Sequence, residues 1–427
     1  MLKKTLCLVL LLACRIVDAQ TSDYFNAPYG ELLPSSTAKV GLWWASSGWK
    51  ISPDKPLPKA RSQAIKISAA RNEAEAAQLV VRPKITLKDF TIHTAVLNGP
   101  SGAIIPEDNV EVLEVRYVNV TMPTDKSSVP GLWPDPLPPL KGPINLKANK
   151  NQPFWIRVKV PRTVPAGTYT GHIQLAAQNY KTDVTLHVQV YDFALPDRMT
   201  CTTAFGFSPG NVFRYQKISS EKHKRQVLEK YWASFSAHHI SPYNPAPLDG
   251  FKVTWLLLDY GIISIQGKPV FDWTAWDNAM DRAIDKYHFN SFRLSIPGLG
   301  GGTFHAISKP SLLGFKEDEP EYPIILESYC KQMEKHLAER GWLDEAYVYW
   351  FDEPSPDQYA FVMNGFEKLK RYCPRIARML TEQPEPQLEG GPNIYCVISN
   401  LYRDDASEKR RAFGDKFWWY VCCGPKV

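Results

Sequence analysis

The chain has 427 residues, of which 44% are hydrophobic and 12% aromatic, and its formal net charge is +6. This length exceeds what one hydrophobic core usually organises, so we expect two domains. The net charge is too mild for a nucleic-acid-binding surface, which excludes nucleic acid as an expected partner. The aromatic share is typical of sugar-stacking surfaces and also of large cores that bury many rings, and composition does not separate the two.

Residues 1–19 are predicted to be a signal peptide. Lys3 and Lys4 precede an apolar stretch, Thr5–Ala13, that is too short to span a bilayer but has the length of a secretory core region. We favour cleavage after Ala19, because small residues occupy the positions that signal peptidase reads. The alternative is a lipoprotein with its anchor at Cys14. In both cases the protein is expected to be exported to the periplasm, the cell surface or the medium.

Residues 37–196 have the pattern of a β-sandwich. Short runs of alternating apolar residues are broken by proline, glycine and asparagine, which is typical of antiparallel strands and their turns. The clearest pair, Tyr169–Ala176 and Thr182–Val190, is predicted to be a hairpin. The proline-rich stretch 123–153 is predicted to be an irregular excursion, because proline cannot donate to a ladder.

Residues 197–427 change to strands that alternate with helices, which indicates a parallel sheet with crossover helices in a TIM-type βα barrel. The predicted strands are Thr200–Phe207, Ile240–Tyr243, Ser291–Ile296, Tyr347–Phe351, Ala377–Leu380, Asn393–Ile398 and Lys416–Val421, and the predicted helices are Glu221–Ala237, Trp273–Tyr287, Ile324–Arg340 and Pro356–Tyr372. Seven strands are one fewer than a closed eight-fold barrel needs. We therefore expect either an uncounted strand or a domain that is incomplete at its C-terminus and lacks its last strand. No segment after the signal peptide is long and apolar enough to predict a transmembrane helix.

Two adjacent carboxylates follow the most apolar of these strands. The run Tyr347–Phe351 is predicted to be buried on both faces, and Asp352 and Glu353 stand at its carboxyl end, where barrels carry their active sites. Pro354 is predicted to hold the backbone of Glu353 extended. If the pleat breaks at the strand end, both acids reach one pocket and become candidate catalysts. The alternative is a solvated turn.

Aromatic and polar residues after other strands are candidates for binding substrate. Trp418 and Trp419 lie near the end of the last predicted strand, where only one of the two rings can face inward. Asn400 and Tyr402 follow the preceding strand, and Tyr243 ends the second. Glu382 follows the fifth predicted strand in the same way. Packing between strand and helix is the alternative role for the tryptophans, and an ordinary surface-loop position is the alternative for the others.

We predict no metal and no cofactor. The cysteines are scattered, and the histidines lack the spacing of a metal site. The glycine-rich stretch Pro297–Thr303 follows a strand but has Thr303 in place of the third glycine of a dinucleotide motif. It is predicted instead to be a loop at the mouth of the barrel, as part of the substrate wall.

Four segments resemble glycoside hydrolase family 123 and its uncharacterised bacterial relatives. They are Phe351–Pro354, with its aspartate-glutamate pair, the segment Phe417–Pro425 with two tryptophans and two cysteines, and in the predicted sandwich Pro165–Gly171 and Asp192–Pro196. The resemblance extends from about residue 60 to the end of the chain.

The resemblance implies a β-N-acetylgalactosaminidase that retains configuration and uses the acetamido group of its substrate as the nucleophile. Glu353 would then act as the acid and base, and Asp352 would orient the acetamide. A glycan is the expected partner. Two alternatives stay open: a non-catalytic carbohydrate-binding or inactive hydrolase-like protein, and a hydrolase for a sugar that lacks the acetamide.

Overall fold

The structure is a computed structural model that describes residues 23–123, 128–259, 264–305 and 307–422. The predicted signal peptide and Cys14 lie outside the described residues. Within the described ranges, none of the helices has both the length and the apolar character that crossing a membrane requires. The chain divides into two compact units: the first extends to Pro196, and the second begins at Asp197.

The first unit consists almost entirely of β-strands. After the single helical turn α1 (Asp23–Asn26), its strands are β1 (Glu31–Leu32), β2 (Val40–Ser46), β3 (Ile65–Arg71), β4 (Ala74–Pro83), β5 (Leu87–His93), β6 (Leu97–Asn98), β7 (Ile104–Ile105), β8 (Val110–Glu114), β9 (Tyr117–Val120), β10 (Gly131–Pro134), β11 (Ile144–Leu146), β12 (Gln152–Lys159), β13 (Gly167–Ala177) and β14 (Tyr180–Ala194). Short 3-10 turns occur at Pro100–Gly102 and Glu107–Asn109.

Two sheets of this unit share one hydrophobic core, as expected for a sandwich. One sheet has the order β1-β2-β4-β12-β8, and the other has β11-β5-β13-β14-β3. Alternate residues of both sheets are buried together, among them Leu79 and Phe154 from the first sheet and Phe90, Tyr169 and Leu186 from the second. Burying one face of each sheet in this way is the main stabilising contribution in such folds. The β-sandwich prediction is confirmed at this level.

The predicted hairpin is the longest strand pair of the unit. β13 and β14 pair antiparallel from Gly167–Val190 to Ala177–Tyr180, which leaves only Gln178 and Asn179 in the turn. A two-residue connection is the commonest hairpin loop, because its twist matches that of the flanking strands. The hairpin prediction is confirmed, with longer strands than the sequence pattern indicated.

The second unit alternates strands with helices. Its strands are β15 (Lys252–Asp259), β16 (Ser264–Asp272), β17 (Phe292–Leu294), β18 (Ser311–Leu312), β19 (Phe315–Lys316), β20 (Ala346–Asp352), β21 (Ala377–Thr381), β22 (Ile394–Ile398) and β23 (Lys416–Tyr420), and its helices are α2 (Pro209–Tyr215), α3 (Glu221–Ala237), α4 (Thr274–Asp281), α5 (Glu321–Arg340), α6 (Tyr359–Tyr372) and α7 (Asp404–Arg411). A π-helical turn, Arg282–Lys286, continues α4, and 3-10 turns occur at Pro356–Gln358, Pro386–Leu388 and Ser399–Leu401.

A five-stranded parallel sheet in the order β17-β20-β21-β22-β23 forms the centre of this unit. The first two predicted strands are present only as extended segments. Phe205 and Pro242 form an isolated parallel bridge, and Arg293 N donates to Tyr243 O at 2.8 Å. The described residues therefore show consecutive parallel strands but not a closed barrel. The TIM-type barrel stays a prediction.

The sheet has two different faces. The face toward α5 and α6 buries residues such as Val348, Trp350 and Leu380. We call the opposite face the tyrosine face, and define it by Tyr347, Tyr349, Met379, Cys396, Trp418 and Tyr420. Side chains alternate between the faces along each strand, because successive residues of a strand point to opposite sides.

The helix after the two acids begins as its capping residues predict. Ser355 N donates to Gln358 Oε1 at 3.1 Å, and Pro356 occupies the first helical position, where its missing N–H has no partner to lose. α6 then packs on the strand that precedes the acids, since the Trp350 indole donates to Val362 O at 3.0 Å. The end of β20 is thus fixed between the sheet and this helix.

Candidate active site

A β-bulge ends the strand that carries the acids. In the pairing of β20 with β21, Tyr349 faces Met379 and Asp352 faces Thr381, so β20 has one more residue than its partner over this stretch. In a regular strand Tyr349 and Asp352 would point to opposite faces. The extra residue turns Asp352 to the same side as Tyr349, which is what a bulge does to the residue that follows it. The predicted break in the pleat is therefore present.

Two residues at this strand end have left-handed backbone angles. φ is 70° at Phe351, whose side chain is fully buried, and 46° at Glu353. Such angles are uncommon for residues with a Cβ and cost on the order of 1–3 kcal/mol each. The prediction that Pro354 keeps Glu353 extended is wrong. The bulge and a hydrogen bond from Glu353 N to Thr381 Oγ1 (2.9 Å) hold the backbone against its local preference.

Two hydroxyl groups hold the carboxylate of Asp352. Tyr349 OH donates to Asp352 Oδ1 at 2.6 Å, and Thr381 Oγ1 donates to the same oxygen at 3.1 Å. Burial raises the pKa of Tyr349, and its bond to Asp352 raises it further, so this phenol keeps its proton and stays a donor near neutral pH. Because both bonds fall on Oδ1, the other oxygen of Asp352 is the one left to accept a hydrogen bond from a ligand.

Glu353 is held by a different strand. Tyr420 OH, at the end of β23, donates to Glu353 Oε1. Burial raises the pKa of Tyr420, and the bond to Glu353 raises it further, so this phenol is also a donor near neutral pH. Each of the two adjacent acids therefore has one oxygen bound by a tyrosine of the tyrosine face, and its second oxygen is the one that can meet a substrate.

The glycine-rich loop after β17 pairs with the strand end. Asp352 N donates to Gly302 O at 2.8 Å, and Phe304 N donates to Asp352 O at 3.2 Å, which makes a parallel bridge between Thr303 and Asp352. Phe304 is 40% exposed. The loop predicted for the substrate wall thus contacts the backbone of Asp352 directly, through the backbone groups of Gly302 and Phe304.

A third carboxyl group lies in the same region. Glu382 directly follows Thr381, and its own Oε1 accepts from Gln383 N at 2.6 Å. Burial raises the pKa of Glu382, and the nearby charges of Glu385 and Glu353 raise it as well. Because Glu382 directly follows Thr381, whose hydroxyl bonds Asp352 and Glu353, its backbone lies near the two acids, as its position after the fifth predicted strand indicated.

The structure separates the two tryptophans of β23. Trp418 packs edge-on against Tyr347 with ring centroids 5.1 Å apart, on the tyrosine face, whereas Trp419 is 71% exposed on the other side of the strand. Tyr243 also reaches the tyrosine face, where its ring lies edge-on to Tyr349 at 6.4 Å. Trp418 and Tyr243 thus lie on the tyrosine face, which also carries the tyrosines bonded to the acids, and Trp419 does not.

The two candidates after β22 have different surroundings. Asn400 is exposed in the 3-10 turn Ser399–Leu401. The ring of Tyr402 lies edge-on to Phe417 at 6.3 Å, and Phe417 in turn stacks on Tyr395. Phe417 and Trp418 are neighbours in a strand and so point to opposite faces. Tyr402 is therefore on the face away from Tyr420 and the acids.

The sequence interpretation missed two functional groups, Thr381 and Tyr420. Both are ordinary strand residues in the sequence, and only the alternation of Trp418 with Tyr420 indicated a shared face. No three histidine, cysteine, aspartate or glutamate side chains among the described residues come together in a way that could hold a metal ion.

Two family models match the chain. The one described as the glycoside hydrolase 123 N-terminal domain matches residues 44–177, and the one described as glycoside hydrolase 123, catalytic domain, matches residues 262–427, which include both acids. The class of protein is accordingly a glycoside hydrolase. The chain belongs to glycoside hydrolase family 123, as the resemblance of its motifs indicated.

A solved structure has the same fold over most of the chain. It is a family 123 glycoside hydrolase from Clostridium perfringens, studied for glycolipid glycan hydrolysis; it is 15% identical, the match covers 91% of this chain and 73% of that one, and the TM-score is 0.66. The CooA pilin subunit from enterotoxigenic Escherichia coli is 17% identical over 37% of this chain and 99% of its own, with a TM-score of 0.21, too low to bear on the fold here. No curated protein matches the chain.

Proposed function

We propose that the protein removes terminal β-linked N-acetylgalactosamine, or a related 2-acetamido sugar, from glycans with retention of configuration. One observation carries this proposal: adjacent acids at a strand end each have one oxygen bound by a tyrosine, so that each has a second oxygen for substrate. Enzymes with two carboxylates across the bond need them about 5 Å apart when retaining and about 6.5–9.5 Å apart when inverting. A nucleophile supplied by the substrate removes that requirement, which agrees with adjacency in sequence.

The two acids divide the reaction between them. The acetamide oxygen of the substrate attacks the anomeric carbon, the glycosidic C–O bond breaks, and Glu353 gives its proton to the departing oxygen. Asp352 accepts a hydrogen bond from the acetamide N–H and stabilises the positive charge of the resulting oxazolinium. Water then attacks the anomeric carbon while Glu353 takes its proton. The bond between the anomeric carbon and the acetamide oxygen breaks as water adds. The two displacements at the anomeric carbon together retain its configuration.

The surroundings of the acids fit a sugar substrate. Trp418 and Tyr243 give the tyrosine face aromatic surface for the apolar side of a pyranose or for the acetamide methyl group. Glu382 can accept hydrogen bonds from sugar hydroxyls. The similar Clostridium perfringens enzyme was studied for glycolipid glycan hydrolysis, which supports a glycan as the substrate class.

Two further proposals concern the export of the protein and the fold of its second unit. We propose that residues 1–19 direct export, with cleavage after Ala19 and a lipid anchor at Cys14 as the alternative; mass spectrometry of the mature N-terminus distinguishes them. We propose further that the parallel sheet belongs to a TIM-type barrel. This is supported by five consecutive parallel strands and by backbone hydrogen bonds that extend the parallel pairing beyond them. Arg293 N donates to Tyr243 O, Tyr243 N donates to Phe205 O, and Phe205 N donates to Ser241 O.

The proposed function is tested with nitrophenyl N-acetyl-β-galactosaminide. We expect the wild type to release nitrophenol, Glu353→Gln to lower kcat by at least about 10²-fold because it removes the acid and base, and Asp352→Asn to lower it as well. Glu367→Gln, the same change at an exposed position of α6, is the control and should keep wild-type kcat. A Glu353→Gln variant with the wild-type rate would refute the assignment.

Two further results separate the alternatives. Equal rates on nitrophenyl β-galactoside and on its N-acetyl analogue would contradict a nucleophile supplied by the substrate, and would favour a hydrolase for sugars without the acetamide. Glycan binding without any release of product would favour the non-catalytic carbohydrate-binding protein.

A further inference from the structure

We propose that Thr381 is a positioning residue that sets the orientation of both acids through a single hydroxyl group. This inference rests on the proposed function of Asp352 and Glu353. Thr381 is the last residue of β21 and the register partner of Asp352 across the bulge. It is itself buried, with 7% of its surface exposed, so it acts through the acids rather than by contacting substrate.

The hydroxyl of Thr381 contacts three groups of the site. It donates to Asp352 Oδ1 at 3.1 Å, accepts from Glu353 N at 2.9 Å, and lies 3.0 Å from Tyr349 OH. Among the hydrogen bonds of the described residues, this one oxygen bonds the side chain of one acid and the backbone of the other. A shift of Thr381 therefore moves both acids together.

The proton count of this cluster fixes the direction of each bond. Tyr349 has one hydroxyl proton and gives it to Asp352 Oδ1. Thr381 also has one, and an ionised carboxylate is the stronger acceptor than a phenol, so this proton also goes to Oδ1. The lone pairs of Thr381 remain for Glu353 N–H. A valine has neither the proton nor the lone pairs, although it has nearly the same shape.

The bond to Glu353 N has a specific consequence for the acid and base. Glu353 is held at a φ of 46°, which a residue before proline does not prefer. The hydroxyl of Thr381 is the partner of the N–H at this strained position. Without it the backbone is free to relax toward extended angles, and the carboxyl of Glu353 turns away from the glycosidic oxygen. A branched residue suits the role, because its χ1 is restricted.

Two variants separate the hydroxyl from the shape of the side chain. Thr381→Val keeps the shape and removes the hydroxyl, and is expected to lower kcat by about 10²-fold, as displacements of about 1 Å do, with little change in KM. Thr381→Ser keeps the hydroxyl and is expected to retain most of the wild-type kcat. A role in packing alone predicts the reverse order, since serine leaves a cavity and valine does not.

The dependence on leaving group shows whether Glu353 is displaced. kcat/KM reports the steps up to cleavage of the glycosidic bond. A phenol leaving group depends on the proton of Glu353 more than a nitrophenol leaving group does, because phenolate is the stronger base. We expect the loss of kcat/KM in Thr381→Val to be larger on the phenyl than on the nitrophenyl N-acetyl-β-galactosaminide. Equal losses on both substrates, or equal kinetics of the Val and Ser variants, would overturn the proposal.

Crystal structures of the two variants test Thr381 independently of activity. We expect Thr381→Val to change the backbone angle of Glu353 and the orientation of the Asp352 carboxylate, and Thr381→Ser to keep both. Unchanged acids in the Val variant would overturn the inference whatever the enzyme hydrolyses. A wild type that is inactive on every N-acetyl substrate, combined with displaced acids in Thr381→Val, would instead refute the proposed function and leave the positioning role standing.

Discussion

Replacement of Tyr420 by phenylalanine removes the hydroxyl group that donates a hydrogen bond to Glu353, the proposed acid and base. Tyr420 OH donates to Glu353 Oε1, and its ring packs with the tyrosine face, so Tyr420→Phe keeps the ring and loses only the hydrogen bond. A hydrogen bond to a charged group contributes about 1.5–3 kcal/mol. At about 1.4 kcal/mol for each factor of ten, kcat/KM is expected to fall by about 10- to 150-fold.

The assay compares two identical changes. Tyr402→Phe removes the same hydroxyl from a tyrosine that lies edge-on to Phe417, on the face away from the acids. We expect it to leave kcat/KM on nitrophenyl N-acetyl-β-galactosaminide unchanged. Circular dichroism of both variants controls for folding. If Tyr420→Phe and Tyr402→Phe have the same kcat/KM, Tyr420 does not orient Glu353 and the reasoning from this bond fails.

Two further predictions concern stability. Gly365→Ala in α6 puts a Cβ 2.3 Å from the Trp350 indole nitrogen, which causes overpacking and loss of the Trp350–Val362 hydrogen bond. These effects should outweigh the gain of about 1 kcal/mol in helix propensity, so we expect urea unfolding to show a loss of stability of about 1–5 kcal/mol. Gly210→Ala, where the added Cβ meets open space, is the control, and equal effects of the two changes would refute this prediction. Burial raises the pKa of Glu382, so its ionisation destabilises the fold as pH rises from the ordinary carboxyl range through the raised pKa. Glu382→Gln should therefore match the wild type in acid and be more stable at neutral pH, and a variant less stable at neutral pH contradicts this.

Much of the fold could be read from local pattern. The hairpin Gly167–Ala194 and the helices α3 and α6 follow from alternation, periodicity and caps, which depend on residues close in sequence. The first two predicted strands, Thr200–Phe207 and Ile240–Tyr243, are reduced to a bridge, although their apolar pattern is that of strands. Whether a short apolar run forms a full ladder depends on the strands beside it, which its own residues do not specify.

The candidate site divides in the same way. The acids stand at the end of an apolar run, and their position at a strand exit follows from that run alone. Of the residues proposed for substrate, Trp418 and Tyr243 share the tyrosine face, while Tyr402 packs on Phe417. Sequence spacing placed all three at strand ends but did not assign them to a face, because loop residues after a strand have no fixed alternation.

The sequence by itself determined that two adjacent carboxylates end a buried strand, and that this strand belongs to an alternating strand and helix unit after a β-sandwich. Only the tertiary structure decided how the acids point. The bulge at β20, the left-handed angle of Glu353 and its bonds to Thr381 and Tyr420, which lie 28 and 67 residues further along the chain, all oppose or exceed local preference. Strained angles of this kind persist only where distant partners over-determine them, and the identity of those partners is a property of the folded sheet.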